Sequence, residues 1–225
     1  AQGVRSIINV PLICDQRVIG FVGFDALRAP KEWNRKHRNL LKVVGEIIAG
    51  AIGRERATAA LSRQLVLEQL IAEISTRFIN VPILQLDEEI NEAIMRIGRF
   101  TDVDRSYVFR ISEDGRRMDN THEWCAEGID PHIERLQGLR VDEFGYSLKR
   151  LSEGQVFHVP DVSSLPSEAR RERYEFEREG IRTLVNVPIM ARQHMIGFLG
   201  FDAVRAPKRW AEDHIRLLKL VGEMV

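Results

Sequence analysis

The sequence predicts an α+β fold, and three observations carry that reading. A long segment recurs at a spacing of whole-domain size, strand pairs are written as hairpins, and stretches of helical period separate those pairs. A hydrophobic fraction of 44% supplies a packed core, and no low-complexity tract interrupts the 225 residues. The 33 basic and 33 acidic side chains cancel, which argues against nucleic acid as a partner. No apolar run approaches the ~18–20 residues that span a bilayer, and the N-terminus lacks a signal-peptide layout, so no membrane contact is expected. Two cysteines, Cys14 and Cys125, build no disulfide framework and suit a reducing, cytoplasmic location.

The repeat organises the chain. Gly3–Leu12 returns as Gly180–Ile189, Ile19–Lys31 as Ile196–Lys208 and Leu40–Glu46 as Leu217–Glu223, always at an offset of 177 and without a gap. Such a period is too long for a solenoid unit and fits a domain plus its linker. Residues 1–57 therefore read as the C-terminal part of a first domain, entered midway, and residues 58–225 as a nearly complete second copy. Residues 3–28 form a hairpin, with strands Ile7–Ile13 and Val18–Phe24, whose sheet partners are expected upstream of residue 1. Its unpaired edges are templates for another chain, so at least a homodimer is expected, with the hairpins pairing with or packing on a neighbouring copy.

From about residue 38 to 79 the pattern is helical almost without interruption, and Pro82 closes it. Leu40, Val44, Ile47, Ala51, Thr58, Leu61 and Leu65 follow in steps of three and four, broken only at Arg54, the spacing of a dimeric helical seam. Asp87–Phe100 is a second helix, with Ile90, Ile94 and Ile97 on one stripe and Asp87 and Glu88 at its positive end. Ser106–Ile111 and Met118–Cys125 read as strands joined by a turn ending in Asp114-Gly115. Helical stretches are expected at Pro131–Leu136, Glu143–Leu151 and Ser167–Glu179, the last closed by Gly180. Thr183–Met190 and Met195–Asp202 form another hairpin, and a final helix starts near Ala211. Gly197 and Gly200 fall inside a strand, where glycine marks close approach of another group, and Trp210 reads as an anchor for the final helix.

Together, Gly180-Ile-Arg-Thr, Ile196-Gly-Phe-Leu-Gly-Phe-Asp-Ala-Val-Arg-Ala-Pro207 with Trp210, and the Leu217-Leu-Lys-Leu-Val-Gly-Glu223 helix resemble the C-terminal half of a GAF domain. Asp104–Phe109 and Thr121–Gly128 resemble the first strands of bacterial GAF domains in sensor kinases and cyclic-dinucleotide signalling proteins. The resemblance implies a GAF-like central antiparallel sheet with helices on one face and a roofed pocket on the other. It also implies a regulatory module that senses an unidentified small molecule and relays its state through the long helix. The output would be a sensor histidine kinase or a cyclic-dinucleotide enzyme encoded outside these residues. The alternative is a structural dimerisation module without a ligand.

No phosphate-binding loop, dinucleotide fingerprint, kinase signature, zincin or nucleophile elbow is present, so no turnover is expected from this chain. His122 and Cys125 invite a metal, but strand alternation points them to opposite faces, so metal ligation is disfavoured. A covalent bilin is disfavoured on the resemblance, because Cys125 is followed by Ala126 rather than histidine. The Asn-Lys-Phe-x-Asp-Glu signature of cyclic-nucleotide GAF domains is missing, and Val141-Asp-Glu-Phe144 does not replace it. Haem stays open through a single histidine such as His158. The candidate ligand pocket takes Asn120, His122 and Trp124 from one strand face, and Tyr146, Phe157, His158 and Tyr174 from the segments roofing the sheet. Trp124 and Tyr146 are expected to share that pocket.

Overall fold

A computed structural model describes residues 3–224. By contact density the chain divides into two compact units, residues 1–66 and 67–225.

The first unit holds β1 (Ser6–Cys14), β2 (Arg17–Ala26) and most of a long helix, α1 (Arg35–Asn80). The strands form a two-stranded antiparallel sheet. Val10 and Leu12 on β1 are buried, as are Leu41 and Ala49 on α1. Gly45 lets the helix approach: a Cβ there would lie 3.1 Å from Val10 and 3.6 Å from the Pro11 carbonyl. The predicted seam of α1 turns the other way, with Leu40, Ile47, Leu61 and Leu65 all more than half exposed.

The second unit has a six-stranded, wholly antiparallel sheet in the order β5-β4-β3-β8-β7-β6. Its strands are β3 (Arg105–Ile111), β4 (Arg117–Cys125), β5 (Leu139–Arg140), β6 (Phe157–Val159), β7 (Thr183–Ala191) and β8 (His194–Ala203). Helices α2 (Leu86–Thr101) and α5 (Glu212–Met224), with the end of α1, cover one face. There Leu70, Ile74, Ile90, Ile94, Ile97, Leu217, Leu218 and Val221 pack on Val108, Val185, Val187, Leu199 and Phe201. Trp210 joins this core, as an anchor should. Period-2 alternation sends the intervening strand residues to the other face, where α3 (Gly145–Ser152), α4 (Arg170–Arg178) and short 3-10 turns form a roof. The predicted α+β architecture, helices on one face and a roof on the other, is what the structure shows.

Local chemistry explains the roof's boundaries. Gly180 adopts φ +71° after α4, and the N–H groups of Gly180 and Ile181 donate to the carbonyls of Glu177 and Phe176 at 3.1 and 2.8 Å, the two bonds of a Schellman cap. One predicted helix is absent: 131–136 is a series of turns. The Glu123 carboxylate takes the N–H groups of His132 and Ile133 at 2.7 and 2.9 Å, and Gly138, at φ +64°, donates to Asp119, so the segment is tied to β4 at both ends and makes a single turn, closed by the N–H groups of Arg135 and Leu136 on the His132 carbonyl. Strands β5 and β6, of two and three residues, are too short to carry a readable alternation.

Candidate functional site

Between the sheet and its roof lies a cavity of about 50 Å³. Tyr107, Phe109, Met118 and Phe198 form its floor, and Leu136, Phe144, Leu148 and Phe176 close it from above. Phe109 and Phe198 stack at 4.9 Å with their planes 10° apart. One end is polar, with Glu175, Glu179, Asn186 and the Tyr107 hydroxyl in the lining. At ~10–15 Å³ of such space per water, the void holds a few water molecules. A drug-sized occupant, which fills ~300 Å³ or more, requires α3, α4 and the 126–138 segment to part from the sheet.

Ion pairs and caps hold that roof down. Arg135 bridges Glu175 at 3.4 Å and Glu179 at 3.0 Å. On α4, the carboxylate of Glu172, 1% exposed, accepts the N–H groups of Tyr146 and Ser147 at 2.9 and 3.1 Å, so it caps α3 from the neighbouring helix. Beneath lies a buried network. Arg105 Nε is 3.4 Å from Asp202, Arg105 Nη2 is 3.7 Å from Glu179, and the Tyr107 hydroxyl donates to Asp202 at 3.0 Å. Burial is the largest influence on Asp202; Arg105 opposes it and Glu179 adds to it, leaving the carboxyl pushed up to about 7. Reading by strands missed this network, although Arg105 and Asp202 are charged residues at alternating, otherwise apolar positions, which is the signal that could have found it.

The predicted site residues separate into three groups. Phe157 and Tyr146 belong to the roof-side core and meet edge-to-face at 6.0 Å, and Arg150 sits 4.1 Å over the Tyr146 ring. His122 and Trp124 do not join them. The register shifts between Val108 and Phe109, so Asn120 faces Phe109, Thr121 is left without a partner, and His122 faces Val108. That bulge turns His122 and Trp124 to the helix face: His122 Nε2 lies 3.2 Å from Asp87 on α2, and Trp124 packs beside Gly98, where a Cβ would come within 2.5 Å of the indole. The expected pairing of Trp124 with Tyr146 is thereby corrected. With its amide nitrogen turned toward the bulge, Asn120 donates to the carbonyls of His122 and Val108 at 2.8 and 3.1 Å, a strand-shaping role. His158 and Tyr174 are exposed, because on β6 only Phe157 and Val159 point into the roof-side core, and Tyr174 lies on the outer side of α4.

His122 and Cys125 fall on opposite faces, the latter opposite Arg105. Burial lowers the His122 pKa against the pull of Asp87, and pushes the Cys125 thiol up to about 11. Among the described residues no helix is long and apolar enough to cross a membrane.

A curled antiparallel sheet with a helical layer beneath and a roofed cavity above is the frame of a sensory domain. The chain belongs to the GAF domain family, whose profile matches residues 1–52 and 85–225. It is similar to the methanogenesis regulatory histidine kinase FilI of Methanothrix harundinacea, 25% identical over 75% of this chain and 19% of the kinase. It is also similar to the circadian input-output histidine kinase CikA of Thermosynechococcus vestitus, 26% identical over 72% of this chain and 22% of the kinase. The chain thus spans about a fifth of the length of these relatives.

Among solved structures, the phycocyanobilin-bound GAF domain of a cyanobacterial phytochrome superposes with a TM-score of 0.59 at 16% identity, over 70% of this chain and 90% of that one. A far-red-absorbing dark-state protein with bound biliverdin IXα gives 0.56 at 19% identity, over 68% and 93%. These neighbours correct one expectation. The residue after Cys125 does not set bilins aside, since both of these solved domains, which share this fold, hold a bilin.

Proposed function

We propose that this chain is the small-molecule-sensing GAF segment of a signal-transduction histidine kinase, with the catalytic part elsewhere in the polypeptide. Residues 1–57 are then the C-terminal part of a first GAF domain and 58–225 a second. The observation that carries the reading is the roof-side cavity, with stacked aromatic rings below, an apolar roof and one polar end. A ligand would enter by lifting the roof, and the ion pairs of Arg135 and the Glu172 cap are the contacts it would have to break or reshape. Its differential affinity for the lifted and closed roof would bias the signal, with α1, whose residues belong to both units, as the relay. The protein works as a homodimer along the exposed seam of α1.

Native mass spectrometry and an absorption spectrum of the purified protein, before and after incubation with biliverdin and with phycocyanobilin, test this reading. A retained mass or visible band that Leu148→Trp abolishes, with the circular dichroism unchanged, is the expected result. The exposed seam with so small a cavity supports a second reading, a dimerisation module without a ligand. A dimer that retains no mass and acquires no band would select it.

A further inference from the structure

The charge of the roof-side cavity sets the class of molecule that fits it. Among the described residues that line it, Glu175 and Glu179 carry carboxylates and none carries a cation. Both hydroxyl protons in the lining are already engaged: Tyr107 donates to Asp202 at 3.0 Å and Ser147 to the Phe144 carbonyl at 3.1 Å. Rings supply much of the remaining wall, Phe109 and Phe198 below and Phe144 and Phe176 above, with the Tyr107 and Phe109 rings 5.6 Å apart at 88°. An aromatic face is the negative side of the ring, so it attracts a cation and repels an anion, as a carboxylate does.

The ion-pair network behind the polar end is short of buried positive charge. Three of its carboxylate side chains, Asp202, Glu179 and Glu175, are 0%, 8% and 10% exposed, and one guanidinium, Arg105, is buried with them at 1%. The other guanidiniums on these carboxylates, Arg135, Arg171 and Arg178, are 31%, 43% and 53% exposed, so water screens much of what they contribute. Burial, with Arg105 opposing it, raises the carboxyls of both Asp202 and Glu179. A bound cation would fill this deficit, an anion would deepen it, and a neutral molecule would leave it as it is. Size follows from the space: a void of about 50 Å³, at ~10–15 Å³ per water-sized position, takes about three to five heavy atoms under a closed roof.

We propose that the roof-side cavity binds a small organic cation, a primary alkylammonium of about two to four carbons, with its ammonium group on Glu175 and Glu179 and its alkyl chain between the Phe109–Phe198 stack and Leu148. Glu175 lies on α4 and Glu179 at its C-cap, the end of a helix that favours positive charge nearby. The cation would therefore fasten α4 over the sheet, and its affinity for the closed roof would be the difference that the module reports. The proposal rests on reading this cavity as the ligand site of the sensing module.

The test titrates propylammonium chloride into the 225-residue protein and follows the amide resonances, with 1-propanol, sodium propionate and potassium chloride as the neutral, anionic and ionic-strength controls. Propylammonium is expected to shift the amides of Phe109, Phe176 and Phe198 to saturation, and Leu148→Trp, which fills the void, should abolish the shift. 1-Propanol should bind at least about tenfold more weakly, and propionate and potassium chloride should not saturate. Glu175→Gln and Glu179→Gln should each weaken propylammonium about tenfold and leave 1-propanol unchanged, which separates loss of charge from loss of the cavity. If a glutamine variant loses both probes, the ranking of the three propyl compounds on the unaltered protein decides. Equal affinity for propylammonium and 1-propanol, or tighter binding of propionate, overturns the proposal and leaves the sensing reading standing, because the cavity then takes ligands of another charge. A saturable shift that Leu148→Trp does not touch also overturns it. So does saturation by no probe, and the mass and absorption measurements above then decide the sensing reading on their own.

Discussion

The ring of Tyr107 occupies the volume that a side chain at Gly200 would need, across the central β3–β8 pair of the sheet. A methyl group there overlaps the ring itself, and the hydroxyl that holds the ring in place is tied to Asp202 and Asn186. Gly200→Ala should therefore destabilise the protein by ~1–3 kcal/mol or more, the range of overpacked cores. Gly145→Ala, with nothing within 4 Å of the new Cβ and no positive φ, should be neutral or stabilise by up to about 1 kcal/mol. Urea unfolding of both variants checks the contrast, and equal midpoints would show that Tyr107 moves aside without cost.

Asp202 predicts a pH dependence. Its carboxyl is pushed up to about 7 in the folded protein, and in the unfolded chain it titrates near 3.8. Between those values the folded state keeps a proton that the unfolded state has released, so the contribution of this group to stability falls as pH rises from about 4 to about 7 and then levels. Asp202→Asn should remove that segment of the slope, whatever its constant offset from losing the Arg105 pair. Unfolding midpoints measured every half unit of pH would show it, and parallel curves for the two proteins would refute the assignment.

Glu172 joins two roof helices with one carboxylate. Glu172→Ala leaves the N–H groups of Tyr146 and Ser147 without their acceptor in a buried setting, at a cost of ~1–3 kcal/mol. The loss should be local: amides of 145–152 should exchange faster than those of β7 and β8. Uniform acceleration across the second unit would mean that the roof and the sheet open as one body.

How far the sequence could be read depends on the range of the forces involved. Gly197, Gly200 and Trp210 announced close packing because a glycine or tryptophan in a strand or turn has few other reasons to be there. The faces of β4 were misread because nothing near Thr121 signals its bulge: the extra residue is set by pairing with Val108 and Phe109, more than ten positions away. Segment 131–136 has apolar residues at helical spacing, yet it stops after one turn, because Gly138 at φ +64° leads the chain back to Asp119 on β4. Alternation alone, correctly applied from the buried Phe157 and Val159, would have turned His158 outward.

The division of the site residues makes a spectroscopic prediction. Trp124 packs on α2 beneath the sheet, and Tyr146 lies in the roof. A ligand that lifts the roof should shift the fluorine resonance of a fluorotyrosine at 146 and leave a fluorotryptophan at 124 unchanged. A shift at 124 alone would move the binding site to the helix face.

The seam of α1 predicts an oligomer and the sign of three substitutions. Leu40, Val44, Ile47, Ala51, Thr58, Leu61 and Leu65 keep the alternating four- and three-residue steps of a heptad core, and Arg54 takes the position between Ala51 and Thr58. Leu41 and Ala49, by contrast, are buried, whereas Leu40, Ile47, Leu61 and Leu65 are exposed. Burying a leucine or isoleucine stabilises by ~1.5–3 kcal/mol, so Ile47→Lys or Leu61→Lys should weaken dimerisation at least about tenfold. Arg54→Leu removes a charge from the core position and should tighten it, while Arg56→Ala, off the seam, should do neither. Sedimentation equilibrium over a concentration series separates these outcomes. A monomer at every concentration, or a dimer indifferent to positions 47, 54 and 61, would show that the helix does not pair along this face.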